Sequence, residues 1–268
     1  MKLRLRRFII RVGRILNLLG FNPLRMASLV HFPLYWRQKK EWLKQGGTID
    51  TNYPILIDYS DSAGNAKGHY FNQDLLVANL IFKSNPVRHV DVGSRVDGFV
   101  ANVASFREIE VADIRPLDES VHANIKFFQL DLMDSNNLEK TDSLSCLHAI
   151  EHFGLGRYTD PVDVNGHIKG INNLVALVED DGHLYLSVPI GQRDEVHFNA
   201  HRVFHPQSVL AIPSIKENME LIRYDFVDDG GTLHLDRAVQ DSVGSFQYGC
   251  GIYTFKKVNT SSIDSGSS

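Results

Sequence analysis

Cysteine is nearly absent: the 268 residues contain two, Cys146 and Cys250. Two thiols cannot staple a disulfide scaffold, and both sit in apolar runs, so they read as reduced, buried side chains in a reducing compartment. No apolar run approaches the ~18–20 residues of a membrane span. The only stretch resembling the ~7–15-residue apolar region of a signal peptide is interrupted by Arg11 and Arg14. No internal repeat is found. Acid is scarce at the N-terminus, where residues 1–45 hold eleven Lys/Arg against Glu41 alone, a balance of +10. The other 223 residues hold 17 basic and 31 acidic groups, a balance of −14, so the net charge of −4 averages two unlike segments. What remains is a globular composition, 43% hydrophobic and 22% charged, with ample length for a core.

The basic segment has helical order. At ~100° per residue, Arg4, Arg7, Arg11 and Arg14 share a narrow face of a helix over residues 2–19. Leu5, Phe8, Ile9, Val12, Ile15, Leu16 and Leu19 share the opposite face, and Gly20 and Pro23 end the helix. Such a helix either lies on an anionic membrane surface or packs on the protein with its basic face solvated. Nucleic acid is not expected as a partner, because the rest of the chain is acidic and repels phosphate. The organisation expected is a basic extension over 1–45, a domain over 46–258 and a disordered Ser-rich tail over 259–268.

Within the domain, strands and helices alternate. Tyr70–Phe82 has helical spacing. Short strands are predicted at His89–Val92, Ile109–Ala112, Ile125–Leu130, Ser143–Leu147 and His183–Val188, the last preceded by an Asp180-Asp181-Gly182 turn. Helices are predicted at Gly98–Ser105 and Gly166–Val178. Leu221–Val227 and Gly251–Lys257, with no helix between them, predict a terminal antiparallel pair. This pattern specifies an α/β fold with a mostly parallel sheet covered by helices on both faces.

In such sheets ligands bind beyond the carboxyl ends of the strands. Asp91-Val92-Gly93-Ser94 ends strand one, and Gly93 permits close backbone approach. Asp113 ends strand two, 20 residues later, where a carboxylate can accept ribose hydroxyls. Asp131-Leu132 ends strand three, where an acceptor can meet an adenine amino group. These ends point to an adenosine-containing cofactor. A nicotinamide enzyme is disfavoured, because Gly93-Ser94-Arg95-Val96-Asp97-Gly98 lacks the second glycine of the dinucleotide fingerprint, and Asp97 would repel a pyrophosphate. A cofactor with an ammonium and a carboxylate, as in S-adenosylmethionine, suits a loop that offers both charges.

On these residues the chain resembles the class I S-adenosylmethionine-dependent methyltransferases over about residues 69–257. The resemblance implies a Rossmann-like, seven-stranded, mostly parallel sheet with a terminal antiparallel hairpin. It implies cofactor contacts from Asp91, Gly93, Ser94, Arg95, Asp113, Asp131, Leu132 and His148. Cys146-Leu147-His148-Ala149-Ile150-Glu151-His152 is similar to the segment after strand four in small-molecule O-methyltransferases. A closer resemblance is to a domain family of unknown function first named from Caenorhabditis proteins. It is carried by His69–Leu75, Asp91–Phe99, Glu151–Tyr158 and Phe198–Arg202. Arg95 and Asp97 depart from the glycines usual in methyltransferases.

Methyl transfer to oxygen needs an aligned nucleophile and a base, and histidine suits the base. Seven of the 12 histidines lie between 148 and 205. His152 is the chosen base, with Glu151 and His201 as further catalytic candidates, and the competing reading of His152 is a strand–loop cap. Arg157, Tyr158, Asn199 and Arg202 are assigned to substrate. Asp160 either joins them or staples its loop. His148-Ala149-Ile150-Glu151-His152 also fits a zinc-peptidase pattern, which requires a helix where a strand is predicted. A divalent metal is optional, and if present would fall to His148, Glu151 and His152. His197, His201 and His205 would form a stripe on a helix, but Pro206 and the polar run before them favour a loop. His69, Gln73 and Asp74 either close over the cofactor or cap and pack their helix.

The function expected is methylation of a hydroxyl on a small molecule or surface glycan by a cytoplasmic protein, at the inner face of a membrane if the leader binds lipid. The alternative is a non-catalytic scaffold of the same fold in a glycan-synthesis complex.

Overall fold

His89–Val92 (β1) is buried at all four positions, as a strand covered on both faces must be. It lies in the middle of an eight-stranded sheet in the computed structural model, which describes residues 26–64, 66–117, 122–134, 138–244 and 247–259. The helix expected over 2–19 and the Ser-rich tail lie outside the described residues. The chain divides into two units, 1–65 and 66–268. In the first, Phe32–Lys44 (α1) is a helix with Pro33 in its first turn, where a missing N–H costs nothing. Its Lys39 lies 4.9 Å over the Trp36 ring, and Trp42 donates to the Thr48 carbonyl. No helix among the described residues is long and apolar enough to cross a membrane.

The second unit holds the sheet. Its remaining strands are Ile109–Asp113 (β2), Ile125–Gln129 (β3), Thr141–Leu147 (β4), Val178–Ile190 (β5), Met219–Val227 (β8), Leu233–His234 (β9) and Gly249–Lys257 (β10). The spatial order is β3-β2-β1-β4-β5-β10-β8-β9. β3, β2, β1, β4 and β5 are parallel, with Val90 opposite Glu110 on one side and Leu144 on the other. β10 runs antiparallel to both β5 and β8. The sheet therefore has eight strands rather than the seven expected; the extra one, β9, pairs only two residues with the end of β8.

Alternate residues feed two cores. Val90, Leu144, Cys146, Leu184 and Leu186 pack with Ile171, Leu174 and Val175 of the helix Gly166–Leu177 (α4). Ile109, Val111 and Tyr185 pack with Val77 and Ile81 of the helix His69–Ser84 (α2) and with Val103 of the short helix Ala101–Ala104 (α3). The helix predicted from Gly98 begins instead as a π turn over Val96–Val100, kinked at Gly98. The Asp180–Gly182 turn is absorbed into β5 as an irregularity. Asp181 is left-handed (φ 64°), and the register opposite β4 jumps from Val178 to His183. The stretch read as a loop before Pro206 contains an antiparallel ribbon, Glu195–His197 (β6) with His201–Val203 (β7). The helices Pro206–Leu210 (α5) and Pro213–Asn218 (α6) then lead into β8.

Candidate functional site

β1 and β4 are neighbours although two strands separate them in sequence, so the connections diverge between them. Beyond their carboxyl ends lies a cavity of about 500 Å³, within the size range of small-molecule sites. At the end of β1, Asp91 is fully buried and accepts from the Ser94 amide (3.0 Å), the Ser94 hydroxyl (2.9 Å) and the Ser145 hydroxyl. Burial pushes its carboxyl up to about 7, against the pull of those hydrogen bonds. Asp91 thus shapes the turn from behind, while Gly93, Ser94 and Arg95 line the cavity. Gly93 has φ +79°, and a Cβ there would stand 2.7 Å from that of Ala149. The exposed Arg95 and Asp97 pair with each other at 2.7 Å, so each charge is met within the loop.

Asp113, Asp131 and Leu132 line the same cavity from the ends of β2 and β3. Asp113 has a partner that the sequence reading did not include. The Arg115 guanidinium takes both of its carboxylate oxygens and donates to the Gly93 carbonyl at 3.1 Å. Arg115 also lies 4.9 Å over the Tyr158 ring. A signal existed in the sequence: an arginine two residues past the strand-end acid. Asp74 of α2 faces the cavity too, its carboxyl pushed up to about 6 by burial.

After β4 the chain turns at His148, left-handed at φ 49°, and forms a single 3-10 turn over Ile150–His152. The zinc-peptidase reading fails here, because no helix carries the two histidines. His148 Nδ1 and Glu151 Oε1 are 2.8 Å apart and buried. Burial opposes charge on both. Cys250 and Glu151 outweigh it at His148 and draw the imidazole well up, while His148 holds Glu151 below the usual carboxylate range. His152 lines the cavity, with Nδ1 2.7 Å from the Ala200 carbonyl. A carbonyl only accepts, so Nδ1 carries the proton and Nε2 the lone pair. Arg157 donates to the same carbonyl at 2.8 Å and lies 3.3 Å from Nε2. Burial holds His152 below the ordinary histidine value, and Arg157 adds to that against the opposing pull of Glu151.

Arg157 and Tyr158 line the cavity. Asp160 staples the loop: its Oδ2 accepts from the Gly154 and Gly156 amides and its Oδ1 from that of Tyr158. Glu151, His201, Asn199 and Arg202 do not line this cavity. Arg202 is buried, and its guanidinium donates to the Phe153 carbonyl at 2.6 Å and, more weakly, to those of Glu151 and Val164. It clamps the loop where a substrate contact was expected. Asn199 lies in the turn of the β6–β7 ribbon. His201 stands opposite His197 on that ribbon, their ring centroids 5.1 Å apart, so the two form a cross-strand pair and not part of a helical stripe.

The parallel sheet with its reversed β10 and its cleft at the β1–β4 divergence is the Rossmann-like fold of class I methyltransferases. Residues 108–227 match the family described as "Caenorhabditis protein of unknown function, DUF268", the family that the sequence resembles. That span includes Glu151–Tyr158 and Phe198–Arg202; the strings at 69–75 and 91–99 lie upstream of it. No functionally curated protein matches the sequence. Among solved structures, the chain is similar to the 1,6-didemethyltoxoflavin-N1-methyltransferase of Burkholderia thailandensis, crystallised with 1,6-didemethyltoxoflavin and S-adenosylhomocysteine. The TM-score is 0.50 at 11% identity, covering 80% of this chain and 95% of that one. It is also similar to the N-methyltransferase NodS of Bradyrhizobium japonicum in complex with S-adenosylhomocysteine. There the TM-score is 0.49 at 13% identity, covering 77% and 94%. At these identities the likeness concerns the fold.

Proposed function

We propose that this chain is an S-adenosylmethionine-dependent methyltransferase that acts on a hydroxyl, in a small molecule or in a sugar of a glycan or glycolipid. The observation that carries this reading is His152: an imidazole in the cavity wall, its tautomer set by the Ala200 carbonyl and its basicity lowered by burial. Such a ring is neutral near pH 7 and can take a hydroxyl proton as the methyl group is transferred. The cofactor would lie along Gly93, Ser94, Asp113, Asp131 and Leu132, with its methyl toward His152. It supplies an electrophilic methyl group. The chain's own residues orient the acceptor, through Arg157 and Tyr158, and accept its proton. S-adenosylhomocysteine in similarly folded proteins supports this choice of cofactor.

A second reading keeps the fold without catalysis, as a binding protein of a glycan-synthesis assembly. It is favoured by Arg115, which holds both oxygens of the Asp113 carboxylate on which a ribose would depend. Calorimetry with S-adenosylhomocysteine separates the two. Saturable binding by wild type, with His152→Ala keeping that affinity but losing turnover by ~100-fold or more, supports the enzyme. Folded protein that binds neither S-adenosylmethionine nor its product leaves the binding protein. Because the base must be neutral, turnover should hold above pH ~6.5 and fall as His152 protonates at lower pH.

A further inference from the structure

Three elements that are remote in sequence converge beside the cavity. His69 opens α2, His148 follows β4, and Cys250 is the second residue of β10. One ring nitrogen of each histidine and the Cys250 sulfur lie within 4.8 Å of one another. The His148 side chain is 4% exposed, and its Nε2 is buried with no hydrogen-bond partner among the described residues. Orphan polar atoms of this kind call for an explanation. The other ring nitrogen is occupied: Nδ1 faces Glu151 Oε1 at 2.8 Å. A carboxylate facing Nδ1–H holds that proton in place and leaves Nε2 as the nitrogen that can give up its proton to a metal, as carboxylates do behind metal-binding histidines. Cys250 is buried and free of disulfide, and Tyr248 stacks on His69 at 5.4 Å.

We propose that His69, His148 and Cys250 form a binding site for a soft divalent cation of the zinc class, with Glu151 orienting His148 from behind. Imidazole and thiolate are the donors zinc prefers, and three protein ligands leave the fourth tetrahedral position open. Ligand atoms ~2.0–2.3 Å from zinc stand about 3.3–3.8 Å apart. Closing the set from its present spacing takes about 1 Å, which the half-buried His69 ring can supply by turning. On binding, the Cys250 thiol and the His148 imidazolium each release a proton to solvent, His69 donates as a neutral ring, and nothing is oxidised or reduced. A water or acceptor hydroxyl in the open position would be acidified; that last role rests on the methyltransferase reading, whereas the site does not.

The test loads the full-length, untagged protein with cobalt(II) and, separately, with zinc. The expected result is about one ion per chain and a thiolate-to-cobalt charge-transfer band in the near ultraviolet. Zinc should displace the cobalt. Cys250→Ser should abolish the band and Cys146→Ser should leave it intact. His69→Ala, at the half-buried ligand, should weaken zinc binding by at least ~10-fold, and it serves if Cys250→Ser does not fold. Folded wild type that takes up no cobalt, or a band that survives Cys250→Ser, overturns the site. Neither readout uses S-adenosylmethionine, so failure of the metal site and failure of the methyltransferase reading remain separate results.

Discussion

Glu151 has two neighbours of its own kind of chemistry: His148 at 2.8 Å and His152 Nε2 at 3.7 Å from the same carboxylate oxygen. Removing its charge leaves His148 without the partner that offsets its burial, and breaking a buried pair costs several kcal/mol. Glu151→Gln should therefore destabilise the fold by about 3 kcal/mol and lower the melting temperature by roughly 6–12 °C, measured by calorimetry. At this scale the sequence was informative about residue type and less so about role. His152 was identified from its place after a strand, and it does face the cavity. Arg202 was grouped with the substrate contacts because its segment follows the fifth predicted strand, yet its guanidinium is occupied by backbone carbonyls. Nothing local in a sequence distinguishes an arginine that meets a ligand from one that holds a loop.

The loop that carries Arg157 and Tyr158 is made by two left-handed glycines and one aspartate. Gly154 has φ +74°, and a Cβ there would lie 2.1 Å from the Asp163 carbonyl oxygen; at Gly156, φ +67°, the nearest atom is a Val162 methyl at 3.2 Å. Gly156→Ala should cost only the left-handed penalty, about 1–2 kcal/mol. Gly154→Ala must also displace backbone and should cost clearly more, an ordering that urea melts of the two variants would check. The central elements were legible because their signals are local. β1 is a short His-Val-Asp-Val segment closed by Gly93, and its predicted bounds agree with the observed ones. The β6–β7 ribbon was not legible: strands of three residues are too short to carry a hydrophobic period, and one of the two buried positions is an arginine. The eighth strand, two residues long, gave no signal either.

Across the whole molecule, several histidines are held neutral by burial. His89 lies at about 3, with Arg107 adding to the effect of burial, and His69 and His167 lie at about 4. Each folded value is below the unfolded 6.5, so the stability that depends on the neutral ring is complete above pH 6.5 and lost as pH falls toward 3–4. For fully buried His89 the loss amounts to about 5 kcal/mol once developed. Asp91 opposes this: its value is raised to about 7, so its contribution grows as pH falls from there toward 3.8. Asp74, raised to about 6, acts in the same direction as Asp91. With three histidines against these two carboxyls, melting temperature should drop from about pH 7 to pH 4, and His89→Asn should flatten the drop. The division of charge noted at the outset bears on a separate measurement. If residues 2–19 seek anionic lipid, deletion of residues 1–22 should abolish flotation with phosphatidylserine vesicles and leave neutral vesicles unaffected. Undiminished flotation would remove the leader from that role.

The reversal of β10 has a consequence for the making of the protein. A parallel strand presents its last residues at the ligand edge of the sheet; β10, entering from that edge, presents its first, Gly249 and Cys250, between β5 and β8. The proposed metal site is thus assembled from chain made first at His69, next at His148 and last at Cys250. A growing chain on the ribosome can complete β1 through β5 and still lack the strand that fills the gap between β5 and β8. The proposed metal site can form only after β10 has been synthesised, so a nascent chain lacking β10 cannot form it.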